Sequence, residues 1–373
     1  MRTVFALWLL LFVPVVLAQQ REAEEIFNRA VEAQQHGEYA AAIAGYQKVL
    51  KLEPQKLEAR ANLAVALAHE GHYDEAIAQY RVVVAAAPGD SALRMNLGIA
   101  YYKKGDFKDA RPQFAEVART HAMDAQLAIL LGDSEVHLGQ APKAVALLMP
   151  LEAQNAANPD FEYVLGSALV HSEQRAEGIA RLEKVAAATQ SADAWMLAGS
   201  TLMDMNDFSH ALTDLDNAVR LNPNLSGLET LDGMAKNMSG DAAGAEPVLR
   251  EAVKKDPADF NANLYLGAIL YKRRDMDEAK TYLDQAVKMQ PNSPTARYEM
   301  AMWESTSGHY DQAARDLEAL EKSNPDWLQP HVELATVYYR LHRPADGARE
   351  REIVAKMKAQ QQSEGPPKIQ TPQ

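Results

Sequence analysis

At 373 residues with 47% hydrophobic side chains, the chain is long enough for two or three globular domains or for one continuous repeat array. A net charge of −13 argues against the basic stripe that a nucleic-acid backbone requires, so no nucleic-acid partner is expected. With no cysteine, a thiolate nucleophile, a thiolate metal site and a disulfide are all excluded.

The chain opens with MRTVFALWLLLFVPVVLAQQ, in which Arg2 precedes an apolar run from Val4 to about Val16 and Ala18 stands before Gln19. A positive start, an apolar centre and a small residue at the break are the parts of a secretory signal peptide. The run is shorter than the roughly 20 residues that span a bilayer. Residues 1–18 are therefore expected to be a cleavable signal peptide. The mature chain is expected to be exported, periplasmic or secreted, with no stable membrane insertion after cleavage. Retention of the segment as an anchor is the alternative.

From residue 23 onward the sequence repeats. QQHGEYAAAIAGY, AHEGHYDEAIAQY and YKKGDFKDARPQF place Gly37, Gly71 and Gly105 in one column and Ala42, Ala76 and Ala110 in another. A small-residue column runs Ala30, Ala64, Gly98, Gly132, Gly166, Gly199, Gly233, Gly267, Ala301, Ala335, stepping by 34 residues with a single step of 33. Proline recurs at Pro54, Pro88, Pro223, Pro257, Pro291 and Pro325. A fixed period in this range decides the fold class. Each copy reads as two short amphipathic helices, the first ended by glycine and the second by proline. The spacing predicts repeats near 23–56, 57–90, 91–124, 125–158, 159–191, 192–225, 226–259, 260–293, 294–327 and 328–358. Copies four and five lack the closing proline in phase, and copy seven has Asp232 and Lys236 where apolar residues belong. In the last copy Arg351 replaces a bulky apolar residue, as a terminal cap requires. Residues 359–373, rich in Gln and Pro, are expected to be a disordered tail.

The pattern resembles the tetratricopeptide repeat (TPR) family. Its signature reads here as Trp195, Ala198–Gly199, Leu202, Phe208, Ala211, Leu215, Ala218 and Pro223, and again as Leu266–Gly267, Leu270, Ala279, Ala286 and Pro291. The resemblance implies an all-α, right-handed solenoid of about ten helix-turn-helix repeats, with the first helix of each pair lining a concave groove. Some family members clamp a peptide's terminal carboxylate with Lys and Asn in the first repeats. Phe27 and Val31 stand at those places here, so such a clamp is not expected.

Phased on the small-residue column, the first-helix residues that point away from the paired helix are the candidate partner-binding residues. They are Met95, Tyr102 and Lys103 in copy three, and Met196, Met203, Met234 and Met238 in copies six and seven. Copies eight to ten add Tyr271, Lys272, Tyr298, Met302, Tyr339 and Arg340. Methionine adapts its shape and tyrosine offers area with a polar tip, which suits a protein or peptide ligand. The alternative is that these side chains pack between neighbouring first helices.

No catalytic motif is found. There is no G-x-S-x-G, no phosphate-binding loop and no dinucleotide fingerprint. His69 and His72 lack the H-E-x-x-H spacing of a zinc site, the methionines fill gaps more readily than they bind copper, and the other histidines are scattered. The expectation is a non-enzymatic scaffold without metal or cofactor that binds a protein or peptide, with self-association left open. The alternative reading is a module for a small molecule or glycan.

Overall fold

A computed structural model describes the backbone of residues 2–363 and the side chains of 19–360 and 362. The described chain is helical, and it divides into two compact units, Met1–Val185 and Ala186–Gln373.

Unit one holds α1 (Arg2–Gln35), α2 (Tyr39–Leu52), α3 (Leu57–His69), α4 (Tyr73–Ala86), α5 (Ser91–Lys104), α6 (Phe107–Thr120), α7 (Ala125–His137), α8 (Ala141–Leu148), α9 (Glu152–Asn155) and α10 (Pro159–Val170). The unit boundary falls within α11 (Arg175–Thr189). Unit two holds α12 (Ala192–Asp204), α13 (Phe208–Leu221), α14 (Leu228–Met238), α15 (Ala242–Lys255), α16 (Phe260–Lys272), α17 (Met276–Met289), α18 (Pro294–Thr306), α19 (Tyr310–Ser323), α20 (Leu328–Arg340) and α21 (Pro344–Ser363). The expected leader forms the first part of α1, with Met1 outside the described residues. Of the expected tail, 359–363 continue α21 and 364–373 lie outside the described residues.

Local chemistry sets the helix ends. Asp90, Asp124 and Asp259 accept from the backbone N–H groups of Leu93, Leu127 and Ala262 at 3.0, 2.8 and 2.9 Å, satisfying donors that a helix start leaves orphaned. Pro150 stands two residues after the end of α8. It has no N–H to continue the ladder, so the fourth second helix breaks into a 3₁₀ turn at Met149–Leu151 before α9.

The small-residue column lies where paired helices cross. A Cβ added at Gly98 would meet Phe114 at 2.6 Å, and one at Gly267 would meet Leu283 at 2.7 Å. Phe114 and Leu283 have no exposed surface. The copies with glycine in this column thus set a small residue on the first helix against a bulky one sixteen residues later on the second, as in Gly199 with Leu215 and Gly233 with Leu249. Burying such a leucine contributes about 1.5–3 kcal/mol, which these short helices lack on their own. The misfit in copy seven is offset in part: Oδ2 of the buried Asp232 accepts from Lys236 Nζ at 2.5 Å, one turn along α14, while Oδ1 has no hydrogen-bond partner.

A second periodic device closes the loops between copies. Arg60 donates to the Pro54 carbonyl at 2.9 Å and to Gln79 at 2.7 Å, and Arg94 repeats this with Pro88 at 3.0 Å and Gln113 at 3.2 Å. Asn263, Arg297 and His331 make the same reach to Pro257, Pro291 and Pro325 at 3.2, 2.9 and 3.2 Å.

The turn between paired helices needs a left-handed residue. Glycine supplies it at Gly71 (φ 79°), but Arg274 adopts φ 77° at the equivalent place between α16 and α17. A side chain there costs roughly 1–2 kcal/mol against a right-handed conformation. Arg274→Gly is therefore expected to stabilise the protein by about 0.5–1 kcal/mol, read as a higher urea midpoint at unchanged slope. An unchanged or lower midpoint would mean the turn carries no such strain.

Candidate functional site

Within each unit consecutive first helices touch: α3 with α5 and α5 with α7 in unit one, and α14 with α16, α16 with α18 and α18 with α20 in unit two. This places the first helices side by side, and their shared face is where the sequence analysis puts the candidate residues.

In unit one, Met95 and Tyr102 are half-buried and pack on the core, while Lys103 is exposed. Tyr102 stands edge-on to Phe107 (5.5 Å between centroids) and donates its hydroxyl to Asp133 on α7 at 2.6 Å. Burial and that carboxylate push its hydroxyl pKa well above the usual tyrosine range. A cavity of about 230 Å3 lies between α3, α4 and α5, lined among others by Val65, His69, Tyr80, Asn96, Ile99 and Lys103. Burial pushes the Tyr80 phenol up to about 12, so it stays a hydrogen-bond donor at physiological pH.

In unit two, Met196, Met234, Tyr298 and Met302 are half-buried, and Met238, Lys272 and Arg340 are exposed. Three of the candidates offer little free surface. Tyr271 is 4% exposed and donates to Glu299 Oε2 on α18 at 2.8 Å, so it joins neighbouring first helices and offers no free surface. Met203 is 6% exposed for a related reason: its register at the end of a first helix turns it inward. Tyr339 is half-buried against α21, where a Cβ on Gly347 would meet its ring at 2.7 Å and the Arg351 guanidinium covers it at 4.4 Å. Burial raises the Tyr271 and Tyr298 hydroxyls well above their ordinary value, with nearby carboxylates adding to the effect.

Sequence reasoning missed the acidic stripe beside these residues. Tyr265, Glu299 and Glu333 occupy one register on α16, α18 and α20, each 34 residues apart, and their half-burial only the structure discloses. Burial raises the pKa of both carboxyls; the nearby Lys272 acts against this at Glu299, whereas burial is the sole cause at Glu333. Val332, adjacent to Glu333, is 38% exposed.

Among the described residues, Glu321, His331 and Glu350 form a group whose ligand-type atoms all lie within 4.8 Å. His331 Nδ1 stands 2.8 Å from Glu350 Oε2, and Nε2 faces the Pro325 carbonyl. At this register Arg60 and Arg94 bridge a proline carbonyl and their own second helix. His331 fills the same role, with both ring nitrogens facing acceptors, so the group is accounted for as a structural latch.

Helix pairs stacked at a fixed period, with first helices forming one shared face, define an all-α solenoid of the protein-interaction type. Models of the tetratricopeptide repeat match residues 22–91, 67–134, 192–225 and 238–302, together more than half of the chain, and the chain belongs to that family. Among curated proteins it is similar to the mitochondrial import receptor subunit TOM70 of Saccharomyces cerevisiae, 28% identical over 111 residues, or 30% of this chain. That stretch covers 18% of the receptor, so the likeness is to a part of it. Among solved structures, the APC/C Cut9–Hcn1 hetero-tetramer superposes with a TM-score of 0.56 at 14% identity, covering 91% of this chain and 74% of that one; this likeness shows the fold. A structure of Pseudomonas aeruginosa pilF covers 55% of this chain and 94% of its own at 17% identity, with a TM-score of 0.49. No helix among the described residues is long and apolar enough to cross a membrane.

Proposed function

We propose that the chain is an exported, non-catalytic adaptor that holds a protein or peptide partner on the first-helix face of its solenoid. The observation that carries this is the surface of unit two, where Met238 and Val332 are exposed and Tyr298 and Met302 half-buried on the first helices α14, α18 and α20. Apolar and aromatic groups grouped on one face favour a protein partner, because covering them removes apolar area from water. The export part of the reading rests on the signal-peptide pattern of residues 1–18. In an envelope compartment the mature chain from Gln19 would meet its partner outside the cytoplasm.

Cross-linked capture with the mature chain, followed by mass spectrometry, tests the reading. One dominant partner is expected, and Tyr298→Asp with Met302→Asp should weaken its recovery at least about tenfold, which is 1.4 kcal/mol or more. Because Tyr298 and Met302 also pack against the core of unit two, the loss counts only in a variant whose circular dichroism shows it folded at the assay temperature. Recovery that survives both changes would remove this face from the argument. A second reading, a small-molecule or glycan module, is favoured by the unit-one cavity with its apolar floor and Tyr80, Asn96 and Lys103. It expects saturable quenching of tyrosine and tryptophan fluorescence by a soluble oligosaccharide, and absence of quenching would count against it.

A further inference from the structure

We propose that Glu333, which shares its register with Glu299 one first helix earlier on the first-helix face of unit two, is the receptor for a cationic side chain, a lysine or arginine of the bound partner. The proposal rests on the reading that this face binds a peptide, and it names the chemistry of that peptide.

The two carboxylates are not alike. Glu299 accepts from the Tyr271 hydroxyl at 2.8 Å and is eased by Lys272, whose ammonium lies 5.7 Å over the Tyr271 ring. Glu333 makes no hydrogen bond and no ion pair among the described residues, and yet it is half-buried. A carboxylate withdrawn from water without a partner costs free energy in the free protein, and an arriving cation recovers that cost on binding. Two carboxylates elsewhere in the molecule are ion-paired, whereas Glu304, which has no ion pair either, is buried against Asp316 of α19. Glu162 is paired by Arg181 at 3.0 Å and Glu135 by Arg111 at 2.6 Å. Arg340, also on α20, is exposed and forms no ion pair with Glu333.

The surroundings fit the rest of such a side chain. Tyr298 presents its ring near Glu333, tilted on Trp327 at 5.1 Å between centroids, and the exposed Val332 adjoins it. Aromatic and aliphatic walls take the methylene stem of a lysine or arginine, while the carboxylates take the charged head. An anionic partner would meet two desolvated carboxylates and be repelled, so the site also selects. The net charge of −13 brings a basic partner toward the molecule in the same sense.

The test uses fluorescence anisotropy of two labelled peptides of about nine residues, one alternating Leu and Lys and one alternating Leu and Glu, titrated with the full chain in about 0.15 M salt. The lysine peptide is expected to bind saturably and the glutamate peptide not to bind. Glu333→Gln should weaken the lysine peptide at least about tenfold while melting at or above the parent temperature, since it removes an unpaired charge. Glu352→Gln, on the exposed side of α21, changes the net charge equally and should leave binding unchanged. Three outcomes overturn the proposal: no binding of the lysine peptide, binding by Glu333→Gln within about twofold of the parent, or an equal loss in Glu352→Gln. Partner capture that depends on Tyr298 and Met302 but not on Glu333 would sink the cation site alone. Capture that depends on none of them would sink the adaptor reading with it.

Discussion

Gly267→Leu is expected to destabilise the protein by about 3 kcal/mol, at the upper end of what overpacking a core costs. A Cβ at this position would lie 2.7 Å from Leu283 Cγ, 2.9 Å from Leu283 Cδ2 and 3.2 Å from the Leu283 backbone nitrogen. The leucine side chain can yield by changing rotamer, but the backbone of α17 cannot yield without the two helices separating. Leu283 has no exposed surface, so no free volume absorbs the addition. Glycine is a poor helix residue by about 1 kcal/mol, and leucine would recover that amount, which makes the packing loss the deciding effect. Gly267→Ala is expected to cost about 1 kcal/mol or less, because Ala30, Ala64, Ala301 and Ala335 hold this place in other copies. Urea unfolding monitored by circular dichroism checks both. A Gly267→Leu protein that unfolds like the parent would show that α16 and α17 do not approach here.

The second large effect depends on pH. Glu304 on α18 is 8% exposed, and burial together with the neighbouring Asp316 carboxylate pushes its carboxyl up to about 7 from an ordinary 4.5. Its Oε2 has no hydrogen-bond partner. In the unfolded chain the group loses its proton near 4.5, so between roughly 4.5 and 7 the folded state binds more protons. Stability from this group therefore falls as pH rises through that window and stays reduced above it, by about 3 kcal/mol at most. Glu304→Gln keeps the shape and removes the charge. It should raise stability at pH 8 by about 2–3 kcal/mol and change it little at pH 4. Paired urea titrations at the two pH values give the answer. A variant no more stable than the parent at pH 8 would show that Glu304 is not held neutral by its surroundings.

The fold was legible because a TPR copy is a local object. Its two helices and their crossing are set within 34 residues by Gly or Ala, the aromatic or leucine that covers it, and a turn, so the period alone carried them. The face was legible only in part, because exposure there depends on the next copy. Tyr271 and Tyr298 look equally free in sequence. The first finds Glu299 as an acceptor on the following helix and is buried, while the second stays half-open on Trp327. Tyr339 has no following first helix among the described residues, and Arg351 of α21 covers it instead. Some missed features did carry a signal. Tyr265, Glu299 and Glu333 share the period, as do Arg60 with Arg94 and Asn263 with Arg297 and His331. Reading apolar columns alone passes over them, since a periodic polar residue looks like a solvated surface until its acceptor is seen.

The loop latches bear on how such a chain can lengthen or shorten. Arg60 reaches back six residues to Pro54, and Arg94 reaches back six to Pro88. Excision of residues 57–90 would place Arg94 six residues after Pro54, the spacing the loop already uses, with Gln113 still waiting on the second helix. A cut out of phase would strand both the carbonyl and the guanidinium. Whole copies can therefore be gained or lost by recombination without an unsatisfied junction, whereas fragments of a copy cannot. The hydrogen bond that closes these loops is thus also a rule by which the latched part of such an array can grow.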